Sequence, residues 1–357
     1  MTIAATLINL TPFVAGHFLL PDGEGGEVVL VLVKATLDVD DQGVHAIAAK
    51  PEPLGLTDEF WGEPARSSPK RDSDLCLAKP RVDVLVSAMA HAPGGQPCER
   101  TGVELHVGSQ SKQVWVSGDR VWIDDQPSAP VPFTTMPLVW ERAYGGSYSR
   151  EQVDERNPLG IGHASARSAD REVLSELPNL EDPAAPMTHA QSVCAPVGFG
   201  VVGRAWLPRR PLAGTFDFVW KRERWPLAPH DFDPAFHQSA PRDQQIEGEI
   251  GGELVRLVHM TPAGEWSFRV PILDVPLHFV HADRRVGAPL RVDTLEIDAL
   301  QGRVILTGRA LLRVDRGRAP LTEIVVGDAG PAWFKAKRSG KRHLDLRGPA
   351  GARSYLR

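Results

Sequence analysis

Fifteen of the 31 prolines fall within residues 127–245, a third of the chain. Proline fixes φ and removes a backbone donor, so this segment cannot form the interior of a sheet. Any sheet must therefore be built from the flanks. The segment is not low-complexity: it carries many aromatics and mixed charges, and it reads as a long ordered excursion rather than a linker.

Both flanks carry strand signals. The first holds "EVVLVLVKATLDVD" (27–40), a β-branched run after a glycine turn at Gly23–Gly26, then "RVDVLVSAMAHAPGG" (81–95), "VELHVG" (103–108) and "KQVWVSGDRVWI" (112–123). In the last of these, Ser117-Gly118-Asp119 can turn one short strand into the next. The second holds "ELVRLVHMTPAGEWSFRV" (253–270), with Thr261–Gly264 as its turn, followed by "LRVDTLEID" (290–298) and "GRVILTGRALLRV" (302–314). No helix-length segments alternate with these strands, which argues against a parallel βαβ architecture. The expected fold is mainly β, with antiparallel, sandwich-like sheets and a Pro-rich excursion carrying a few short helices. The expected division is an N-terminal β block (1–126), the excursion (127–250), a C-terminal β block packing with the first (251–330), and a basic tail (331–357).

Within the excursion two helices are expected. "SADREVLSEL" (168–177) starts at a Ser168 cap. "TFDFVWKRERW" (215–225) starts at a Thr215 cap, with Phe216, Val219 and Trp220 as its apolar face and Pro226 as its stop. Residues 335–357 hold eight Lys or Arg and one acid with no periodic apolar face. They read as a solvated, disordered tail.

A 42% hydrophobic content is enough for a real core, and the formal charge of −5 argues against an overall nucleic-acid footprint. Cys76, Cys98 and Cys194 show no C-x-x-C pair and no disulfide framework, which fits a reducing compartment. The apolar N-terminus lacks a basic region and meets Pro12 early, so it does not read as a signal peptide. No apolar run approaches the ~20 residues of a membrane helix. The expectation is a cytoplasmic protein.

"GFGVVG" (198–203) matches a dinucleotide fingerprint literally. Pro196 stands where a strand should lead in, and Pro208 and Pro211 interrupt the helix that should follow. The glycines are better read as permitting turns or close backbone approach. Lys221, Arg222 and Arg224 fall where the second helix should end, complementing its dipole. "HDFDPAFHQ" (230–238) is dense in acids and histidines, but Asp233-Pro234 is a helix-start signal. His230 and His237 then lie on opposite sides of one turn, poorly placed to share a metal, and read as incidental. No H-E-x-x-H and no G-x-S-x-G occurs. No metal, cofactor or catalytic set is implied.

Taken in order, "DEFWGEP" (58–64), "SDLCLAKPRVDVLVSAMAHAPGG" (73–95), "VSGDRVW" (116–122), "FTTMPLVWERAYGG" (133–146), "RNPLGIG" (156–162), "LPNLEDP" (177–183), "PVGFGVVGRAW" (196–206) and "DFDPAFHQSAPRDQQ" (231–245) form a specific combination. Over residues 8–325 the chain resembles a bacterial family catalogued as a domain of unknown function. Its genes are typically found in type VI secretion clusters beside those for effectors, PAAR tips and VgrG spikes. The resemblance implies an adaptor or chaperone that binds an effector in the cytoplasm and helps load it onto the spike. It carries over no catalytic residues. Some relatives continue into pentapeptide repeats, which this chain lacks.

The partner expected on that basis is a type VI effector, engaged through a PAAR or prePAAR segment, with VgrG as a second partner and neither nucleic acid nor membrane involved. Candidate contacts are polar loop residues of the excursion: Glu141, Arg142, Arg156, Asn157, Asp243 and Gln244. For each, a loop-bracing hydrogen bond is the competing reading. From another class, a hydrolase or carbohydrate-active enzyme on a β-sandwich would use carboxylates such as Glu141, Asp231 or Asp243. A third reading is a structural component that travels with the secreted spike.

Overall fold

The structure is a computed structural model describing residues 5–123, 126–147, 152–163, 176–189, 192–315, 317, 319–341 and 355–357. The run at 27–40 forms the strand Glu27–Val39, paired with Val14–Pro21 on one side and Arg303–Arg313 on the other. Val29, Val31, Val33 and Ala35 enter the main core, and Leu30, Leu32, Lys34 and Thr36 are equally buried on the opposite face. A strand covered on both faces explains why its sequence does not alternate. The turn before it is held by Asp22, which accepts from Gly26 N at 2.6 Å and Glu24 N at 3.0 Å.

The fold is mainly β, in three principal sheets. The seven-stranded sheet runs Gln245–Ile246, Val82–Ser87, Arg291–Asp298, Arg303–Arg313, Glu27–Val39, Val14–Pro21, with His45–Ile47 also on Glu27–Val39. The five-stranded sheet runs Leu180–Glu181, Gln110–Ser117, Arg100–Val107, Leu254–Val258, Glu265–Arg269. The four-stranded sheet runs Thr6–Asn9, Leu321–Val326, Leu277–His281, Arg285–Ala288. Most pairings are antiparallel. Val82–Ser87 with Arg291–Asp298, and Thr6–Asn9 with Leu321–Val326, are parallel. The Thr261–Gly264 turn closes its hairpin through Gly264 N to Thr261 O at 3.0 Å.

The N- and C-terminal strand blocks do more than pack together. They interleave within the same sheets, and one apolar cluster spans all three.

The second face of the large sheet buries charge. Lys34 pairs with Asp74 at 2.6 Å, Arg309 with Asp293 at 2.6 Å and Lys79 with Asp83 at 2.8 Å, all less than a tenth exposed. Asp83 also accepts from Gln238 Nε2 at 2.6 Å, Ser239 N at 2.8 Å and Ala240 N at 3.1 Å. Burial raises the Asp83 carboxyl, but the Lys79 charge and these hydrogen bonds outweigh it, and its pKa lies below the usual carboxylate value. One sheet carboxylate thus ties the excursion to the seven-stranded sheet beneath it.

Within the excursion, α1 covers Phe218–Glu223. Its cap is Asp217, which accepts from Trp220 N at 2.8 Å, and not Thr215. The Thr215 hydroxyl instead donates to Asp231 at 2.7 Å, which leaves the nearer carboxylate to start the helix. Asp233 caps the short 3-10 turn Pro234–His237 through Ala235 N at 2.8 Å, as its sequence signals. The helix expected at 168–177 lies outside the described residues up to 175. Leu177 at its end is buried, with its N–H on Arg120 O at 3.0 Å.

The tail differs from expectation. Residues Pro331–Arg338 form α2, and Tyr355–Arg357 pack back on the body. Tyr355 is buried in the main core beside Phe13, an aromatic anchor that a count of tail charges overlooks. Among the described residues no helix is long and apolar enough to cross a membrane.

Candidate partner-binding face

The turns of the excursion enclose a groove of about 870 Å³, walled by Pro196, Val197, Pro208 and Leu212, with Trp140 and Lys112 deeper in it. "GFGVVG" builds part of this wall. A Cβ on Gly198 would lie 3.2 Å from the Trp140 ring, and one on Gly203 would lie 2.6 Å from Trp206 Nε1. The two indoles meet edge to face at 5.6 Å. These glycines admit tryptophans against the backbone; no strand leads in and no helix follows to hold a dinucleotide.

Lys112, on a strand of the five-stranded sheet, donates to Gly198 O at 2.7 Å, Gln244 Oε1 at 2.9 Å and Asp243 Oδ1 at 3.0 Å. Burial lowers its pKa from the ordinary lysine value, and Asp243 offsets only part of that effect.

The six candidate contacts separate. Glu141 accepts from Ser68 N at 2.6 Å and Ser68 Oγ at 2.8 Å, and Arg142 reaches Asp119 at 2.7 Å and Asn179 at 3.1 Å. Both line a second cleft, of about 370 Å³. Arg156 and Asp243 line the groove. Arg156 is clamped on Asp154 at 2.6 and 2.9 Å and on Cys194 O at 2.9 Å. Asn157 and Gln244 are corrections. Asn157 is wholly buried and donates to Trp140 O at 2.8 Å and Tyr144 O at 3.0 Å. Gln244 is buried and donates to Val84 O at 2.8 Å and Phe199 O at 3.0 Å. Both brace loops and offer a partner nothing.

The three carboxylates of the hydrolase reading are not assembled either. Glu141 lines the smaller cleft, Asp243 the groove, and Asp231 holds Thr215 through its N–H at 3.0 Å and its hydroxyl. Among the described residues no cluster of three His, Cys, Asp or Glu is placed to hold a metal ion.

Composition gave no warning of what surrounds α1. Phe216 is 59% exposed, Phe218 73%, Val219 51% and Trp225 68%. The apolar face assigned to this helix therefore points into solvent, and only Trp220 is partly covered, its Nε1 donating to Leu227 O at 2.8 Å. The segment is nevertheless fixed: Arg224 donates to Gly23 O at 2.5 Å and to Ala228 O at 3.2 Å. The signal was the pairing of an aromatic-rich stretch with a helix too short to bury it.

A family of uncharacterized proteins conserved in bacteria (DUF2169) matches residues 24–309. The chain belongs to that family. The matched span takes in the whole groove, α1 and most of the large sheet, and excludes Tyr355 and the tail. No curated protein and no solved structure matches the chain.

Proposed function

We propose that this chain is a cytoplasmic adaptor that binds a type VI secretion effector, through a PAAR or prePAAR segment, and aids its loading onto the VgrG spike. The resemblance of its motifs to proteins encoded beside such effectors motivates the identity of the partner. The observation that carries the binding role is the α1 segment: four large apolar side chains, each more than half exposed, on a short turn pinned to the sheet hairpin. Rigid aromatics held in water are the usual anchors of protein interfaces, because they bury much area at little entropic cost.

Deleting the gene should lower the steady-state level of one neighbouring effector and abolish its secretion while the rest of the apparatus still fires, since a bound partner stabilises the folded effector by mass action. Phe218→Ala with Trp225→Ala should weaken effector co-purification roughly tenfold or more, the scale of hot-spot loss. Its melting temperature should not change, because both side chains are exposed. An effector that stays abundant and secreted in the deletion strain overturns the reading.

A further inference from the structure

The groove continues past its own rim. Arg81, Arg242 and Gln245 line both the 870 Å³ groove and a neighbouring cleft of about 540 Å³. Two clefts joined through three shared residues form a trough with more room than a small molecule fills.

The charges along this trough are ordered. On the groove side, Asp233 is committed to Ala235 N, Asp182 to Ala184 N and Asp243 to Lys112. The cations Lys112, Arg156 and Arg209 are likewise saturated by protein acceptors. At the junction the situation differs. Arg242 is exposed and its guanidinium has no partner among the described residues. Among the described residues the Arg81 guanidinium holds Glu247 alone, at 2.8 Å, and that side chain is 79% exposed. Beyond the junction the second cleft carries Glu247, Glu249 and Glu253. Gln244, buried beneath Arg242, fixes the turn Arg242–Gln244 on Val84 O and Phe199 O, so the Arg242 backbone is held in place.

We propose that this trough binds an extended polypeptide segment, with an acidic residue at Arg81 and Arg242 and apolar residues along Val197, Pro208 and Leu212. Guanidinium groups grip a carboxylate through paired, charge-assisted hydrogen bonds. The three glutamates beyond the junction repel a second acid there, so the acidic part of the segment lies toward the groove. The owner of the bound segment need not be a secretion effector.

The test uses the full chain and fluorescein-labelled decapeptides read by anisotropy. One peptide combines glutamate with leucine and proline; its twin carries glutamine at each glutamate. The glutamate peptide is expected to bind, with the glutamine peptide roughly tenfold weaker, the scale of one lost charge-assisted contact. Arg81→Glu with Arg242→Glu should abolish the preference and leave the melting temperature unchanged. Equal binding of the twins, displacement by inorganic phosphate alone, undiminished binding by the double variant, or no binding of the glutamate peptide would each overturn the proposal. Loss of peptide binding with effector co-purification intact rejects the trough and spares the adaptor reading.

Discussion

The imidazole of His237 packs beside the rings of Phe232 and Phe236, with centroids 5.5 and 5.7 Å away. Burial, followed by the positive charges of Arg204, Lys79, Arg209 and Arg309, takes its pKa from the ordinary 6.5 down to about 4. This imidazole is held neutral beside cations that are themselves paired with carboxylates. The sign of its linkage follows. Between pH 6.5 and about 4 the unfolded chain binds a proton that the folded chain refuses, so stability falls as the pH drops through that window. The loss amounts to about 3 kcal/mol by its lower limit. His237→Gln should flatten this part of the curve of urea midpoint against pH. If the wild type and the variant run parallel from neutrality to pH 4, His237 does not carry the effect. Asp83, whose folded pKa is depressed, adds its own loss as the pH falls further, so the variant should remain acid-labile below that window.

At the scale of elements, α1 is the part most open to test. Its cap is Asp217, and the alternative Thr215 is occupied by Asp231. Asp217→Ala should speed hydrogen exchange of the amides of Phe218–Glu223 about fivefold, the equivalent of roughly 1 kcal/mol of lost cap. If Thr215 were the cap, Asp217→Ala would leave exchange unchanged. The misplacement has a local cause, because two capping side chains stand two residues apart and only a contact sixteen residues away decides between them. The same distinction governs the rest of the fold. Glu27–Val39 and the Thr261–Gly264 hairpin are legible because composition and turn chemistry lie inside the segment itself. The parallel pairing of Val82–Ser87 with Arg291–Asp298 is not, since it joins strands about 200 residues apart. Asn157 and Gln244 look like recognition groups in sequence because polar residues in turns usually face water. Here they satisfy backbone carbonyls of a 3-10 turn and of a sheet strand. Arg156 and Asp243 do reach the groove, but as residues that hold its shape.

For the whole molecule, the question is what closes the core. Tyr355 belongs to the main apolar cluster, 6.3 Å from Phe13, and its hydroxyl accepts from Asp328 N at 2.8 Å. Its neighbours extend the seal. Leu356 bridges Leu273, and Arg357 exchanges backbone bonds with Ile272 at 2.9 and 3.1 Å while its side chain reaches Asp274 at 2.5 Å. These three residues lie outside the span matched by the family and pack on the body through Phe13, Leu273 and Ile272. Ending the chain after Lys341 keeps α2 and removes the seal. It should lower unfolding free energy by roughly 3 kcal/mol, the scale of losing a buried aromatic with its hydrogen bonds. Tyr355→Ala alone should reproduce most of that loss, because the ring is the buried part and Arg357 is largely exposed. Both are read as shifts in urea midpoint at constant slope. A truncated chain that unfolds at the wild-type midpoint would mean that residues 355–357 add nothing to the stability of the core.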